Sequence, residues 1–294
     1  MRVAIIGCGY VGLEMSTQLQ ANDVTVYGIR RSDEGLNAVE ATGARGIQAD
    51  VTDPESLAAI PSVDTIIYTA SSGRGDLEAA QSVYVEGLSN VITQFGERDE
   101  PPSRLIYTGS TGVLGDHDGA WVDETTPLSP PSEKARVLAR AETVVKEKSR
   151  EYGIDPLVAR LAGIYGPGRY RIDRYLQKPV TPGYRNLIHR DDVAGAVSHI
   201  LRTGYQHHDV IHIADREPVE RQQFATWLAS QVGTDPPALM TLEERIAAGD
   251  LSETAQARLR SSKRIDSTRL CESGYEFNYP TYKEGFAEPL SQRQ

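Results

Sequence analysis

The sequence predicts an α/β protein: a parallel sheet wound with helices on both faces, followed by a small C-terminal lobe. Three observations carry this. A glycine-rich turn joins an apolar strand to a helical pattern at the N-terminus. Short apolar strands then alternate with helical stretches through most of the chain. Each of those strands ends in small, polar or charged residues, which is where such sheets hold their ligands.

The first element is the apolar run Val3, Ala4, Ile5 and Ile6, which enters Gly7-x-Gly9-x-x-Gly12 and then a helical pattern ending near Gln20. A buried strand, a tight turn and a helix start in that order form the dinucleotide-phosphate site of a Rossmann unit. Gly7 makes the turn, Gly9 lets backbone approach a pyrophosphate, and Gly12 lets the helix pack on the strand. Tyr10 and Val11 open the helix, whose exposed N–H groups favour an anion. Residues 24–27 are a second strand, ending in Gly28-Ile29-Arg30-Arg31. Residues 46–49 are a third, closed by Asp50-Val51-Thr52-Asp53, and residues 65–68 a fourth, ending in Thr69-Ala70-Ser71-Ser72. Residues 104–107 run into Thr108-Gly109-Ser110-Thr111-Gly112, and residues 156–160 make a sixth strand. Helices are predicted near 77–96 and 132–152. This alternation implies right-handed crossovers and a doubly wound sheet.

Past Tyr165 the pattern loosens at Gly166-Pro167-Gly168, Pro179, Pro182 and Gly183. Residues 210–214 read as one more strand and 217–232 as a helix, before a Tyr- and Pro-rich tail. Residues 1–165, with 186–215 returning to them, are read as an NADP-binding Rossmann domain. Residues 166–185 and 216–294 are read as a substrate-binding lobe. No linker marks the boundary.

With 294 residues the chain can bury a full core. Its net charge of −10 argues against a nucleic-acid partner. No apolar run is long enough to span a bilayer, and the N-terminus lacks a signal-peptide layout, so the chain reads as cytoplasmic and without a membrane partner. Two cysteines, Cys8 and Cys271, give neither a disulfide framework nor metal spacing. His207, His208 and His212 lie close in sequence, but a strand would put neighbours on alternate faces, and no metal site is expected.

Four segments together resemble the extended short-chain dehydrogenase/reductase superfamily, the group of sugar-nucleotide epimerases and dehydratases. They are LIYTGSTGVLGD from Leu105, ARLAGIYGPGR from Ala159, NLIHRDDV from Asn186 and VIHIADREP from Val210. The turn GCGYVG departs from that group's usual GxxGxxG. With the closing KRIDSTRLCESGYEFNYPTYKE, it is more similar to an atypical branch of YeeZ-like proteins, grouped as NAD-dependent epimerase/dehydratase with no settled substrate.

The cofactor reading starts at the second strand's end. An acid there bonds a ribose 2′-hydroxyl, whereas arginine accommodates a 2′-phosphate. Arg30 and Arg31 stand there, with no acid before Asp33, so NADP(H) is expected ahead of NAD(H). The alternative is two solvated loop charges. The resemblance implies that Asp50 and Val51 contact adenine and that Ala70 and Ser71 line the cofactor. It also implies catalysis by Ser or Thr, Tyr and Lys. Ser110 takes the Ser position, with Thr111 beside it. Counting back from Ala141-Glu142 places Lys134 at the Tyr position and Leu138 at the Lys position, so the dyad is absent. Lys134 acts as acid/base only if desolvation depresses its pKa; otherwise it is a solvated charge. Tyr170 or Tyr175 are alternative proton carriers.

Arg169, Tyr170, Arg171, Arg174, Tyr175 and Lys178 form the densest basic stretch of this acidic chain. They are read as a pocket for a small anionic substrate, against the alternative of a solvated helix face. The gap between Gly168 and His189 is shorter than in the sugar-nucleotide enzymes of the family it resembles, which implies that a full sugar nucleotide is less expected. His189, Asp191 and Asp192 are read as structural. The resemblance further implies a homodimer through the helices at 77–96 and 132–152. Two functions stay open: an NADP(H)-dependent oxidoreductase or epimerase acting on an anionic or sugar-like substrate, and a non-catalytic NADP(H)-binding sensor or scaffold.

Overall fold

The structure, a computed structural model, describes residues 1–73, 75–205, 208–249 and 251–293. Seven strands form the main sheet: β1 (Arg2–Ile6), β2 (Thr25–Arg30), β3 (Arg45–Gln48), β4 (Thr65–Tyr68), β5 (Arg104–Ser110), β6 (Asp155–Leu161) and β7 (Val210–Ile213). Their order is β7-β6-β5-β4-β1-β2-β3. Pairing is parallel from β5 through β4, β1 and β2 to β3, with Ile6 opposite Ile29 on one side and Tyr68 on the other. The order reverses direction between β1 and β4, the switch point where doubly wound sheets bind ligands.

Two compact units divide the chain. The first comprises residues 1–110, 133–160 and 193–211, and the second residues 111–132, 161–192 and 212–294. In the first unit α1 (Tyr10–Gln20), α2 (Asp33–Glu40), α3 (Leu77–Gln81), α4 (Leu88–Gly96) and α5 (Glu133–Glu151) flank the strands. The apolar residues of α4 show why it sits where it does. Leu88, Val91, Ile92 and Phe95 repeat at helical spacing and are all buried, packing with Ile66, Tyr68, Leu105 and Tyr107 from the strands. Helix α5 contributes Ala141 and Val145 to the same core. It also carries Glu142, whose carboxylate accepts two hydrogen bonds from Arg160 of β6 at 2.9 and 2.8 Å, with both side chains buried. A bidentate pair in that setting fixes one arrangement of helix on strand.

The helix expected over 77–96 is not uniform. Residues Ser82–Gly87 form a π-helical turn between α3 and α4. Two contacts hold it. The Tyr68 hydroxyl donates to the Val83 carbonyl at 2.5 Å, and Gly87 lies so close to Val51 that a Cβ would be 2.6 Å from its Cγ2. The helix expected from 217 begins later. Val219–Glu220 first pairs antiparallel with Tyr184–Arg185, and only then does α8 (Arg221–Val232) start, because that pairing holds the two residues extended.

The second unit holds α6 (Ile172–Gln177), α9 (Leu242–Ala247), α10 (Glu253–Arg260), α11 (Thr268–Glu272) and α12 (Tyr282–Ser291) beside α8, while α7 (Arg190–Thr203) lies mostly in the first. Short parallel pairs Gly163–Tyr165 with Leu187–His189 and Arg264–Ile265 with Trp121–Val122 brace it. Its core is aromatic: Tyr165 stacks on Phe286 at 4.8 Å, and Phe224 meets Tyr282 edge-on at 5.3 Å. Among the described residues no helix is long and apolar enough to cross a membrane.

Candidate functional site

The dinucleotide turn is built as the glycine spacing predicts. Gly7 takes φ +81°, and a Cβ on it would lie 2.3 Å from the Ala70 Cα, so only glycine nests against the end of β4. Thr69 locks that junction, its N–H donating to the Ile6 carbonyl at 2.8 Å and its hydroxyl to the Gly7 carbonyl at 2.9 Å. The N–H groups of Gly7 and Cys8 donate to the Ile29 carbonyl and tie the turn to β2. Burial pushes the Cys8 thiol up to about 12, making it an inert packing group. Tyr10, Val11 and Gly12 are the first residues of α1, whose N-cap is Gly9. Its N-cap glycine has no side chain to cap the helix, and no acid lies in its first turn. The positive end of its dipole is therefore left for an external anion, which fits a pyrophosphate.

Arg30 ends β2 and its side chain reaches back over the turn. Its Nη1 lies 2.9 Å from where a Gly9 Cβ would stand, and its Nε 2.4 Å from where a Gly35 Cβ would stand. Arg31 points away, two-thirds exposed, and forms a 3.4 Å ion pair with Asp50. Although partial burial pushes the Asp50 carboxyl up, hydrogen bonds from the Thr52 N–H and hydroxyl and the charge of Arg31 hold it below its ordinary value. The Val51 side chain turns into the core, and its carbonyl accepts from Asn90 at 3.0 Å. Ala70 touches the glycine turn, while Ser71 is exposed and its hydroxyl accepts from the Gly73 N–H at 3.3 Å.

Ser110 ends β5, at the carboxyl edge of the sheet. Thr111 is buried and donates its hydroxyl to the Leu161 carbonyl at 3.3 Å, a bond that fixes backbone. Lys134 stands in the first turn of α5 and donates to the Gly73 carbonyl at 3.4 Å, in the loop that follows β4 and carries Ser71. Leu138, one turn further along α5, has no polar atom to offer.

The second unit gathers arginines. Arg169 starts the approach to α6, its N–H donating to the Gly166 carbonyl at 2.8 Å, and the Tyr170 hydroxyl lies 3.3 Å from the His189 Nε2. Arg171 caps α6 at φ +54°, a left-handed conformation that a long side chain adopts only under local constraint. Arg174 stands on the exposed side of α6. Sequence reading missed the residues that complete the group: Arg185 on a short strand, Arg221 on α8, Arg245 on α9 and Arg258 on α10. Burial lowers the pKa of Arg185, and the charges of Arg258 and Arg174 lower it further. Burial likewise lowers Arg221 to about 10, helped by Arg185 and Arg258, and lowers Arg258, helped by Arg174, Arg171 and Arg245. The Arg185 guanidinium sits 4.5 Å above the Tyr175 ring. Buried Nε atoms of Arg185 and Arg245 make no hydrogen bond among the described residues. The basic stretch signals Arg171 and Arg174, but nothing in the sequence signals the other four, which lie between 185 and 258 at no regular spacing.

The histidines scatter. His212 is buried, with its N–H on the Glu124 carboxylate at 2.8 Å and its Nδ1 3.1 Å from the Asp266 carbonyl. His208 lies beside Tyr205, and His207 falls outside the described residues. Among the described residues no three His, Cys, Asp or Glu side chains converge as a metal site would need.

A nucleotide turn at the switch point of a parallel sheet defines a Rossmann-type protein. The family model for the NAD dependent epimerase/dehydratase family matches residues 3–216, and the chain belongs to that family. It is 30% identical to Protein YeeZ of Escherichia coli K12 over 293 residues, covering 95% of this chain and 96% of that one. Among solved structures, a conserved protein of unknown function from Silicibacter pomeroyi DSS is 26% identical with a TM-score of 0.78, covering 100% of this chain and 99% of that one. DesIV, a dTDP-glucose 4,6-dehydratase from Streptomyces venezuelae solved with NAD bound, shares the fold at TM-score 0.78 and 19% identity, covering 99% of this chain and 96% of that one.

Proposed function

We propose that this protein is a cytoplasmic NADP(H)-dependent oxidoreductase or epimerase that acts on a small anionic substrate. The observation that carries the cofactor is the placement of Arg30 along the glycine turn, beside Gly9 at the uncapped start of α1. A guanidinium there supplies charge-assisted donors to a 2′-phosphate, and a ribose hydroxyl gains little from them. Gly7, Gly9, Tyr10, Val11 and Gly12 would hold the pyrophosphate, with Arg31, Asp50, Val51, Ala70 and Ser71 around the nucleoside.

The arginine cluster supports the substrate class. In a chain of net charge −10, none of Arg171, Arg174, Arg185, Arg221, Arg245 and Arg258 has a carboxylate ion pair among the described residues. Arg221 is taken up by the carbonyls of Pro182, Arg258, Leu259 and Ser261 and feels the charge of Asp116, and Arg245 donates to the Thr181 hydroxyl. An oxyanion ligand would relieve the remaining like-charge repulsion and reach the buried Nε atoms of Arg185 and Arg245. Ser110 would orient the substrate oxygen, with Thr111 holding the strand end in place and Lys134, bound to the Gly73 carbonyl, as a candidate for proton transfer. Leu138 favours the second reading, a non-catalytic NADP(H)-binding sensor, because it removes the lysine that the family's chemistry uses.

The test is calorimetry. A hydrogen bond to a charged group contributes about 1.5–3 kcal/mol. Replacing Arg30 and Arg31 together with alanine should therefore weaken NADPH at least roughly tenfold and leave NADH little changed. Equal affinity of the unmutated protein for NADH and NADPH would overturn the cofactor assignment.

A further inference from the structure

We propose that Gly35 is a positioning residue for cofactor selectivity, acting through Arg30; this rests on the NADP(H) reading above. Gly35 lies in the first turn of α2, where its N–H donates to the hydroxyl of the N-cap Ser32 at 3.3 Å. Its backbone has no need of glycine. It is helical, it is absent from the left-handed residues, and helix propensity favours almost any other side chain there. The space is what demands glycine. A Cβ on Gly35 would lie 2.4 Å from the Arg30 Nε, 3.1 Å from its Cβ and 3.2 Å from its Cγ. The contact runs down to the root of the arginine, where a small swing of the tip cannot relieve it, so a methyl group would force another rotamer.

The other end of the same side chain is bounded by a second glycine. The Arg30 Nη1 lies 2.9 Å from the missing Cβ of Gly9, the N-cap of α1. Arg30 thus lies in a channel with a glycine at each end, one on α2 and one on α1. The channel sets where the guanidinium ends, and hence whether it stands over the turn or swings into solvent as Arg31 does. Gly35 touches no ligand in this scheme. Its effect is to make one arginine conformer dominant before NADPH arrives, which removes an ordering cost from binding.

Calorimetric titration of the full chain carrying Gly35→Ala, with NADPH and with NADH, tests this. NADPH should weaken at least roughly tenfold, as for loss of the Arg30 contact, while NADH stays within about twofold. On an Arg30→Ala background, Gly35→Ala should change neither affinity, because no guanidinium remains to be displaced. Unchanged NADPH binding, an equal loss of both cofactors, or a further loss on the Arg30→Ala background would each overturn the proposal. Should Gly35→Ala melt earlier than the parent, the double variant must recover most of the lost melting temperature, since the 2.4 Å contact with the Arg30 Nε is gone and only the Cβ at 3.1 Å remains; no recovery also overturns the assignment. Selectivity lost in Arg30→Ala but kept in Gly35→Ala would sink the role of Gly35 alone. An unmutated protein indifferent to the 2′-phosphate would sink the NADP(H) reading with it.

Discussion

His189 shows how one residue can set the acid limit of this fold. Its ring is buried, edge-on to Tyr165 at 5.2 Å and against Tyr279 at 3.9 Å. Its Nδ1 accepts the Asp191 N–H at 3.3 Å, which assigns the ring proton to Nε2, beside the Tyr170 hydroxyl. Burial, with Arg190 adding to it and Asp191 opposing, lowers its pKa to about 4. An unfolded histidine titrates near 6.5. The unfolded chain therefore binds more protons at this residue between those values, and stability is full above about pH 6.5 and is lost as the pH falls through about 4. Each unit of difference is worth about 1.4 kcal/mol, so up to about 3 kcal/mol is at stake. The buried Asp215, pushed well up by desolvation, acts in the opposite sense, so the comparison must be between variants. Urea unfolding of His189→Gln should show a shallower stability change between pH 7 and about pH 4 than the parent. Parallel pH profiles would remove His189 as the cause.

At the scale of elements, Asp192 in the first turn of α7 organises the segment before α12. Its carboxylate accepts from the Tyr275 hydroxyl at 2.7 Å, the Asn278 N–H at 2.7 Å and the Tyr279 N–H at 2.9 Å. Burial nonetheless raises its pKa, so part of the gain is offset. Asp192→Ala should cost about 3 kcal/mol and speed hydrogen exchange at Asn278 and Tyr279 above that at Phe224. Unchanged exchange at those two amides would show that other contacts hold the segment. The same elements mark how far sequence reading reaches. Asp192 stood out as structural through the family resemblance of its segment, and the glycine turn was legible because strand, spacing and helix agree within twelve residues. The π turn at 82–87 was not, since it follows from how Tyr68 and Gly87 meet other elements. Gly35 was invisible for the same reason: its meaning lies in the side chain across from it. Of the arginine cluster only Arg171 and Arg174 were legible, in the basic stretch; Arg185, Arg221, Arg245 and Arg258 needed three further helices and a strand to come together before they could be read.

At the scale of the whole molecule the open question is assembly. Helices α3 and α5 of the first unit frame a surface groove whose walls include Leu77, Gln81 and Val137, with Glu78 and Glu133 beside Arg136 and Arg140. Leu77 is 46% exposed there, an apolar residue with nothing over it among the described residues. Beneath it Ala80, Val85 and Val137 are already packed, so the groove floor is firm. Both signs of charge lie along one groove. Glu133 already pairs with Arg136 within the chain, so a two-fold axis through the groove would leave Glu78 of one copy to face Arg140 of the other, the self-complementary pattern of an isologous interface. A net charge of −10 per chain opposes association in general and makes such local pairing the deciding factor. We propose a homodimer through this face. Light scattering at micromolar concentration should give twice the chain mass of 32.2 kDa. Leu77→Glu should shift it toward monomer, since it puts a carboxylate where the interface would bury an exposed leucine. Arg140→Glu should do the same and do so less at high salt, where the added repulsion is screened. Neither residue belongs to the nucleotide turn, so NADPH affinity should survive in both variants. A monomer in the unmutated protein, or a dimer indifferent to both substitutions, would rule this face out.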